Sequence, residues 1–154
     1  MKNTLPYHLS NPGFTMMEVL VTIVVLSIGL LGLANMQSRS IQYSQHAYYH
    51  GIAAQQARDM ADRMRSNIQG VLAGFYDNIN GIPAAAPVCF DPNANCTTVE
   101  ISQFDALQWN NANANILPQG TGTVTVGATP SLFNIQVSWQ TSEGAKTYSM
   151  RFQP

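Results

Sequence analysis

Glu18 is an acidic residue near the start of a long apolar run, where its charge requires a positive partner. The run extends from Phe14 to Ala34, and about 20 helical residues at about 1.5 Å each cross a hydrocarbon core of about 30 Å. A carboxylate near one end of a spanning helix is costly unless a positive group meets it. The run itself contains no Lys, Arg or His. Cleavage after Gly13 would supply a positive group, because it would create an α-amino group on Phe14.

The residues around this acid resemble the class III leader of type IV pilins. The shared features are a small residue, a cleavage site, Phe, and Glu at the fifth place after the cleavage site. The wider stretch from Gly13 to Asn67 is most similar to the minor pilin PilV family, and the similarity is looser beyond it. It includes Ser-Ile-Gly-Leu-Leu-Gly at residues 27–32 and Arg-Asp-Met-Ala-Asp-Arg-Met-Arg-Ser-Asn at residues 58–67.

The resemblance implies a function in fibre assembly. A prepilin peptidase would cut between Gly13 and Phe14 and methylate the new amine, and the subunit would wait in the inner membrane with its head in the periplasm. In the fibre, Glu18 would pair with the amine of Phe14 on a neighbouring subunit. The implied partners are the prepilin peptidase, other major and minor pilins, the inner-membrane assembly platform and a tip adhesin. No cofactor, metal, catalytic residue or nucleic acid is expected.

Three other functions fit parts of the sequence. A type II secretion pseudopilin shares the leader, the Glu and the long helix. A DNA-binding competence pilin is disfavoured, because beyond Gly70 only Lys146 and Arg151 stand against five acidic residues, a balance that repels phosphate. A membrane-anchored periplasmic enzyme or carbohydrate binder is favoured only by the two Trp residues and the paired histidines, and Trp109 and Trp139 each lie where a core residue is expected.

Residues 1–13 are interpreted as a leader that is removed. The alternatives are an uncleaved signal anchor and cleavage before Asn35, because Gly32-Leu33-Ala34 has the small-x-small form that ordinary signal peptidase prefers. Ordinary signal cores lack an acid such as Glu18, and this favours cleavage after Gly13.

Two pairs of residues are of types that bind metal ions. His46 and His50 are four apart and would share one helix face, but no third ligand is evident, so they are interpreted as exposed histidines. Cys89 and Cys96 lack the spacing of a zinc knuckle. Their even number after an export-like leader predicts a disulfide in a periplasmic or extracellular compartment, with two free thiols as the alternative.

One long helix from Phe14 to about Asn67 is expected to position the N-terminal residues, with a transmembrane half at 14–34 and an amphipathic half at 35–69. Gly29 and Gly32 are sites where the membrane half could bend or unwind, or where it could pack closely on other helices. Apolar residues at helical spacing predict an inward face on the amphipathic half: Ile41, Tyr48, Ile52, Ala53, Ala57, Met60, Ala61, Met64 and Ile68. On its exposed side, the spacing predicts ion pairs of Arg58 with Asp62 and of Asp59 with Arg63.

The chain of 154 residues is expected to form one domain with a head at 70–154. Gly70 and Gly74 should end the long helix, a loop should extend from Phe75 to Pro87, and a short helix should cover residues 102–109. Alternating apolar residues predict strands near 123–126, 132–140 and 146–152. Because a sheet with one apolar face needs a cover, the sequence predicts an α+β, type IV pilin-like fold: a long N-terminal helix packed on a small antiparallel β-meander.

Overall fold

A computed structural model describes residues 13–84, 87, 89, 95–127 and 132–154 of the chain. Its elements in order are α1 (Met16–Ser66), α2 (Ile68–Leu72), β1 (Asn78–Asn80), α3 (Thr98–Ile116), β2 (Thr121–Val126), β3 (Phe133–Thr141) and β4 (Gly144–Phe152). The expected fold class is confirmed, because one long N-terminal helix packs on an antiparallel sheet. The chain divides into two compact units, Met1–Ser44 and Gln45–Pro154.

The described part of the first unit is the N-terminal part of α1 and the three residues before it. This part of α1 is long and apolar enough to cross a membrane, and none of its most apolar window is buried within the protein. The helix continues without interruption through Gly29 and Gly32. Its apolar side chains therefore have no protein core of their own, as expected for side chains that face lipid or other helices.

In the second unit, α1 buries a stripe formed by Ala53, Ala57, Met60, Ala61 and Met64. The stripe combines three alanines with two methionines, whose flexible side chains suit irregular spaces in a core.

The inward face was predicted wrongly at three positions. Ile41, Tyr48 and Ile68 are 61%, 64% and 38% exposed. At about 100° per residue, positions 41 and 48 lie about 120° and 140° around the helix from Ala53. Residues spaced four apart turn gradually around the helix, so a series of them does not stay on the buried face. Ile68 lies beyond the end of α1, in α2.

The long helix ends earlier than the glycines suggested. It ends at Ser66, and Asn67 begins α2 by accepting a hydrogen bond from the backbone N–H of Gly70 through its side-chain oxygen, at 3.3 Å. Gly70 is therefore part of a helix start, and its lack of a side chain gives the Asn67 side chain room: a Cβ there would lie 2.6 Å from Asn67 Nδ2. Gly74, with φ of 82°, follows α2 in the left-handed region that favours glycine.

The sheet is four-stranded and antiparallel, in the order β1-β2-β3-β4. Strands β2 to β4 lie where alternation predicted three strands, and β3 buries Phe133, Ile135, Val137 and Trp139 on one face. Strand β1 contradicts the predicted loop from Phe75 to Pro87. It contains one buried residue, Ile79, between two exposed asparagines, which is too short a pattern to indicate a strand.

Helix α3 contains 19 residues, far more than the predicted 102–109. Its buried face includes Trp109 and Ala106 but also four polar residues, so apolar spacing alone underestimates its length. The helix begins with a capping box, in which Thr97 Oγ1 accepts from Glu100 N and Glu100 Oε2 accepts from Thr97 N. The buried polar residues are Ser102, Asp105, Asn110 and Asn113.

Candidate processing and assembly segment

The start of α1 leaves the predicted cleavage junction outside the helix. Gly13, Phe14 and Thr15 precede the first helical residue, and all three are exposed. Thr15 caps the helix: its carbonyl accepts from the N–H groups of Glu18 and Val19 at 3.1 and 3.3 Å, and its hydroxyl accepts from Glu18 N at 3.2 Å. The peptide bond between Gly13 and Phe14 therefore lies in exposed backbone outside the helix, immediately before its capping residue.

Glu18 lies in the first turn of α1, and its side chain is exposed. The N-terminal end of a helix stabilises a negative charge by about 0.3 to 1 kcal/mol. The cost of an unpaired charge in a membrane helix reaches about 2.5 kcal/mol or more at the centre of the helix, so this stabilisation offsets only part of the cost if Glu18 enters the hydrocarbon. Within the described residues, no basic side chain forms an ion pair with Glu18. The carboxylate therefore needs a partner from outside this part of the chain.

The other polar side chains of the apolar run are satisfied within α1. Thr22 Oγ1 donates to the carbonyl of Glu18 at 2.6 Å, and Ser27 Oγ donates to the carbonyl of Ile23 at 2.7 Å. A hydroxyl that donates to a carbonyl of the preceding turn needs no hydrogen bond to water. Glu18 is thus the one charged group between Phe14 and Ala34, and the run contains no basic residue.

Gly29 and Gly32 leave open space on the surface of α1. A Cβ at either position would have no heavy atom within 4 Å, apart from the local backbone of the helix. These glycines are therefore not required by packing within the chain, which agrees with either of the two roles expected for them, bending or close packing on another helix.

Cys89 and Cys96 are joined by a disulfide in the second unit. Residues 88 and 90–94 lie outside the described residues. Cys96 immediately precedes Thr97, the N-cap of α3. The disulfide therefore links Cys89 to the start of α3.

The two histidines contact the β3–β4 hairpin. His46 Nε2 lies 3.5 Å from Glu143 Oε2, and the His50 ring packs edge-on against Tyr148 and Trp139 at centroid distances of 5.3 and 6.2 Å. His46 is partly covered, which corrects its interpretation as an exposed residue. Among the described residues, no group of three His, Cys, Asp or Glu side chains could hold a metal ion.

The tryptophans lie in the core of the second unit, as the sequence predicted. Trp109 is fully buried and Trp139 is 4% exposed. Trp109 Nε1 donates to the carbonyl of Gln56 at 2.8 Å, which satisfies the indole and fixes α3 against α1. Neither ring offers an exposed face on which a sugar could stack.

A buried polar network that the sequence did not reveal joins α1, α3 and the chain after α2. Tyr76 is fully buried; its hydroxyl donates to Asp105 Oδ2 at 2.7 Å and accepts from Asn67 Nδ2 at 3.1 Å. Asn67 Nδ2 also donates to the carbonyl of Thr98 at 2.8 Å. Burial and the hydrogen bond to Asp105 raise the pKa of Tyr76, so the phenol remains protonated and available as a donor.

Arg63 completes this network. Its Nε donates to Asp59 Oδ2 at 2.8 Å, as predicted, but its NH1 also reaches Asp105 Oδ1 at 3.2 Å and Gln108 Oε1 at 2.9 Å. Partial burial lowers the pKa of Arg63, and its hydrogen bonds and charge interactions with the two aspartates outweigh this and raise it. The predicted pair of Arg58 with Asp62 is wrong, because Asp62 pairs with Arg65 at 2.8 Å.

Comparison with known families gives one match, and it falls on the N-terminal segment. Residues 10–34 match the family model described as the prokaryotic N-terminal methylation motif. Searches of curated proteins and of solved structures give no match. The matched segment contains Gly13, Phe14, Glu18, Gly29 and Gly32, and it supports a class III prepilin leader of the kind that type IV pilins and pseudopilins share.

Proposed function

We propose that the protein is a minor subunit of a type IV pilus, cleaved between Gly13 and Phe14 by a prepilin peptidase that also methylates the new amine. The observation that carries the proposal is the methylation motif over residues 10–34, together with a cleavage junction exposed ahead of a capped helix. Residues 1–13 then act as the leader, 14–34 as the membrane anchor, 35–66 as the amphipathic half of α1 and the residues beyond it as the periplasmic head.

Glu18 supplies the physical basis for assembly. When the apolar part of α1 leaves lipid for the helices of other subunits, the carboxylate stays in a medium of low dielectric, where an unpaired charge is expensive. The hydroxyls of Thr22 and Ser27 are already satisfied, so Glu18 alone demands a polar partner. The new amine of Phe14 on a neighbouring subunit is that partner, and the pairing fixes the axial position of one subunit against the next.

Gly29 and Gly32 contribute to the same step. Each glycine in a helix interior costs about 1 kcal/mol relative to Ala, so a pair weakens α1 locally and also exposes backbone for close approach by another helix. A subunit that moves from lipid into a fibre uses this local freedom to fit between neighbouring helices.

The choice between a pilus and a type II secretion system rests on residues 58–67, which resemble the minor pilin PilV family. Fractionation of cells that produce the chain at native level tests this choice. A pilus subunit is recovered in sheared surface fibres and its deletion reduces their number. Recovery only in the envelope, with loss of secreted enzymes on deletion and no change in fibres, would identify a pseudopilin instead.

A further inference from the structure

A basic groove in the second unit is unexplained by the proposed function. It has a volume of about 390 Å³ and lies between α1 and the C-terminal end of β4. Its wall includes Arg58, Arg65 and Arg151, which are three of the five basic residues in 45–154, and only one acid, Asp62. The same unit contains seven acidic residues. The groove is therefore a positive site on a unit that is acidic as a whole.

Two of the three arginines have no partner within the described part of the chain. Arg65 is held in place, because it pairs with Asp62 at 2.8 Å and its guanidinium lies 4.8 Å from the centre of the Phe152 ring. Arg58 and Arg151 form no ion pair or side-chain hydrogen bond with any described residue. Three guanidinium groups against one carboxylate leave the groove with a net charge of about +2.

The strand that borders the groove has a free edge. The strand order places β4 at one side of the sheet, and β4 is nine residues long. No backbone hydrogen bond from the residues that the structure describes reaches its outer edge. The opposite edge strand, β1, has only three residues. A long free edge is a template on which an extended chain can add a strand through main-chain hydrogen bonds.

We propose that the outer edge of β4 and the groove together bind an extended acidic segment of another protein. The backbone of that segment continues the sheet beyond β4, and two of its carboxylates contact Arg58 and Arg151. Planar guanidinium groups suit such carboxylates because they donate two parallel hydrogen bonds. The proposal rests on the second unit alone and does not depend on processing at Gly13.

Other occupants fit less well. A second copy would offer either β1 or β4 as its edge, and neither strand contains an acid, while two β4 strands would bring Lys146 and Arg151 of both copies together. Basic residues on an edge strand also prevent aggregation, which accounts for Lys146 and Arg151. It does not account for Arg58, which lies on α1 and faces the same groove.

Binding of a defined peptide to the full-length chain in detergent micelles tests the proposal. The probe is a short, labelled peptide of Thr and Val that carries two glutamates, and its matched control carries glutamine in their place. We expect the glutamate peptide to bind more tightly than the glutamine peptide and to slow hydrogen exchange of the β4 amides. Arg58→Gln and Arg151→Gln should each weaken its binding by about fivefold, whereas Arg39→Gln, in the first unit, should not.

Several results would overturn the proposal. They are absence of binding, equal binding of the two peptides, and binding that neither groove variant weakens. Binding that depends on the arginines but leaves exchange of the β4 amides unchanged would exclude strand addition. If Arg151→Gln self-associates while Arg58→Gln binds as the unmodified chain does, the charges serve only to prevent aggregation.

Discussion

Among single residues, Glu18 carries the one polar side chain of the N-terminal apolar run that lacks a partner within α1. Thr15 caps α1, and the hydroxyls of Thr22 and Ser27 donate to the preceding turn, so each polar side chain between Phe14 and Ala34 except Glu18 has a partner in its own helix. An unmatched charge in an apolar helix must be met by another molecule. Glu18 and the apolar residues around it are consecutive in the chain, so the unpaired charge can be recognised from the sequence alone.

Glu18→Ala is expected to leave membrane insertion and cleavage intact and to reduce incorporation into fibres at least tenfold. The reason is that removal of one member of a buried pair costs about 3 to 5 kcal/mol, since the neighbouring amine is left without its counter-charge. The ratio of fibre-bound to membrane-bound protein, read on a blot of sheared fibres, measures the effect. Thr22→Val is the matched control, because it removes a hydroxyl that is already satisfied. Normal incorporation of Glu18→Ala would refute the pairing.

Tyr76 tests the buried network of the second unit. Tyr76→Phe removes the hydroxyl that donates to Asp105 and accepts from Asn67, and leaves two buried polar atoms with one partner fewer. The free energy of unfolding should fall by about 1 to 3 kcal/mol, as measured by urea denaturation. Tyr43→Phe, at an exposed position on α1, should change it by less than about 0.5 kcal/mol. Equal stability of both variants would show that the network contributes nothing to stability.

At the scale of elements, two glycines in helices should respond to alanine in opposite directions. In Gly70→Ala, the new Cβ would lie 2.6 Å from Asn67 Nδ2, whose position is fixed by Tyr76 and Thr98. The free energy of unfolding should fall by about 1 to 3 kcal/mol. Gly51→Ala has no atom within 4 Å of the added carbon and should stabilise α1 by up to about 1 kcal/mol. Thermal denaturation of the two variants gives the signs, and a stabilising Gly70→Ala would contradict the described start of α2.

The capping box of α3 should make stability depend on pH. Hydrogen bonds from the backbone and side chain of Thr97 lower the pKa of Glu100 below its usual range. Because the folded state then binds fewer protons than the unfolded state, the contribution is present above the unfolded pKa of about 4.3 and is lost as the pH falls through the lower, folded pKa.

Denaturation of Glu100→Gln at several pH values measures this dependence. The amide retains a hydrogen-bond acceptor but does not titrate, so the difference in stability between the original chain and the variant should be largest near pH 7 and should shrink below about pH 4.3. A difference that stays constant over this range would show that Glu100 is not coupled to folding.

The secondary structure was predictable where alternation or helical spacing is regular and long. Strand β3 alternates through nine residues, and the apolar run of α1 is continuous. Strand β1 and most of α3 were missed, because Ile79 stands between asparagines and because α3 buries polar side chains such as Asp105 and Asn113. Asp105 is tolerated there because it accepts hydrogen bonds from Arg63, 42 residues earlier, and from Tyr76, and such distant partners cannot be recognised from local spacing.

In the whole molecule, the two units are stabilised in different ways. Apolar side chains of the first unit are exposed and gain their stabilisation from lipid or from other helices. The second unit has a hydrophobic core that includes Trp109, Tyr76 and Ile135, and it contains the disulfide. Such a division suits a subunit that exchanges a membrane for a fibre while its head stays folded.

The processing of the N-terminus is the premise on which the proposed function depends. The pairing of Glu18 requires an amine on Phe14, and that amine exists only after cleavage at Gly13. Residues 10–34 carry the methylation motif, and the junction is exposed ahead of α1. On the proposed function, this one cleavage would give the unpaired carboxylate of Glu18 a positive partner on a neighbouring subunit.

Mass spectrometry of the N-terminal peptide, from membranes of cells that contain a prepilin peptidase, tests this premise most directly. We expect a mature chain that begins at Phe14 and carries one methyl group on its amine, and an unprocessed chain in cells that lack the peptidase. A mature chain that begins at Asn35, or an uncleaved chain in the presence of the peptidase, would contradict it.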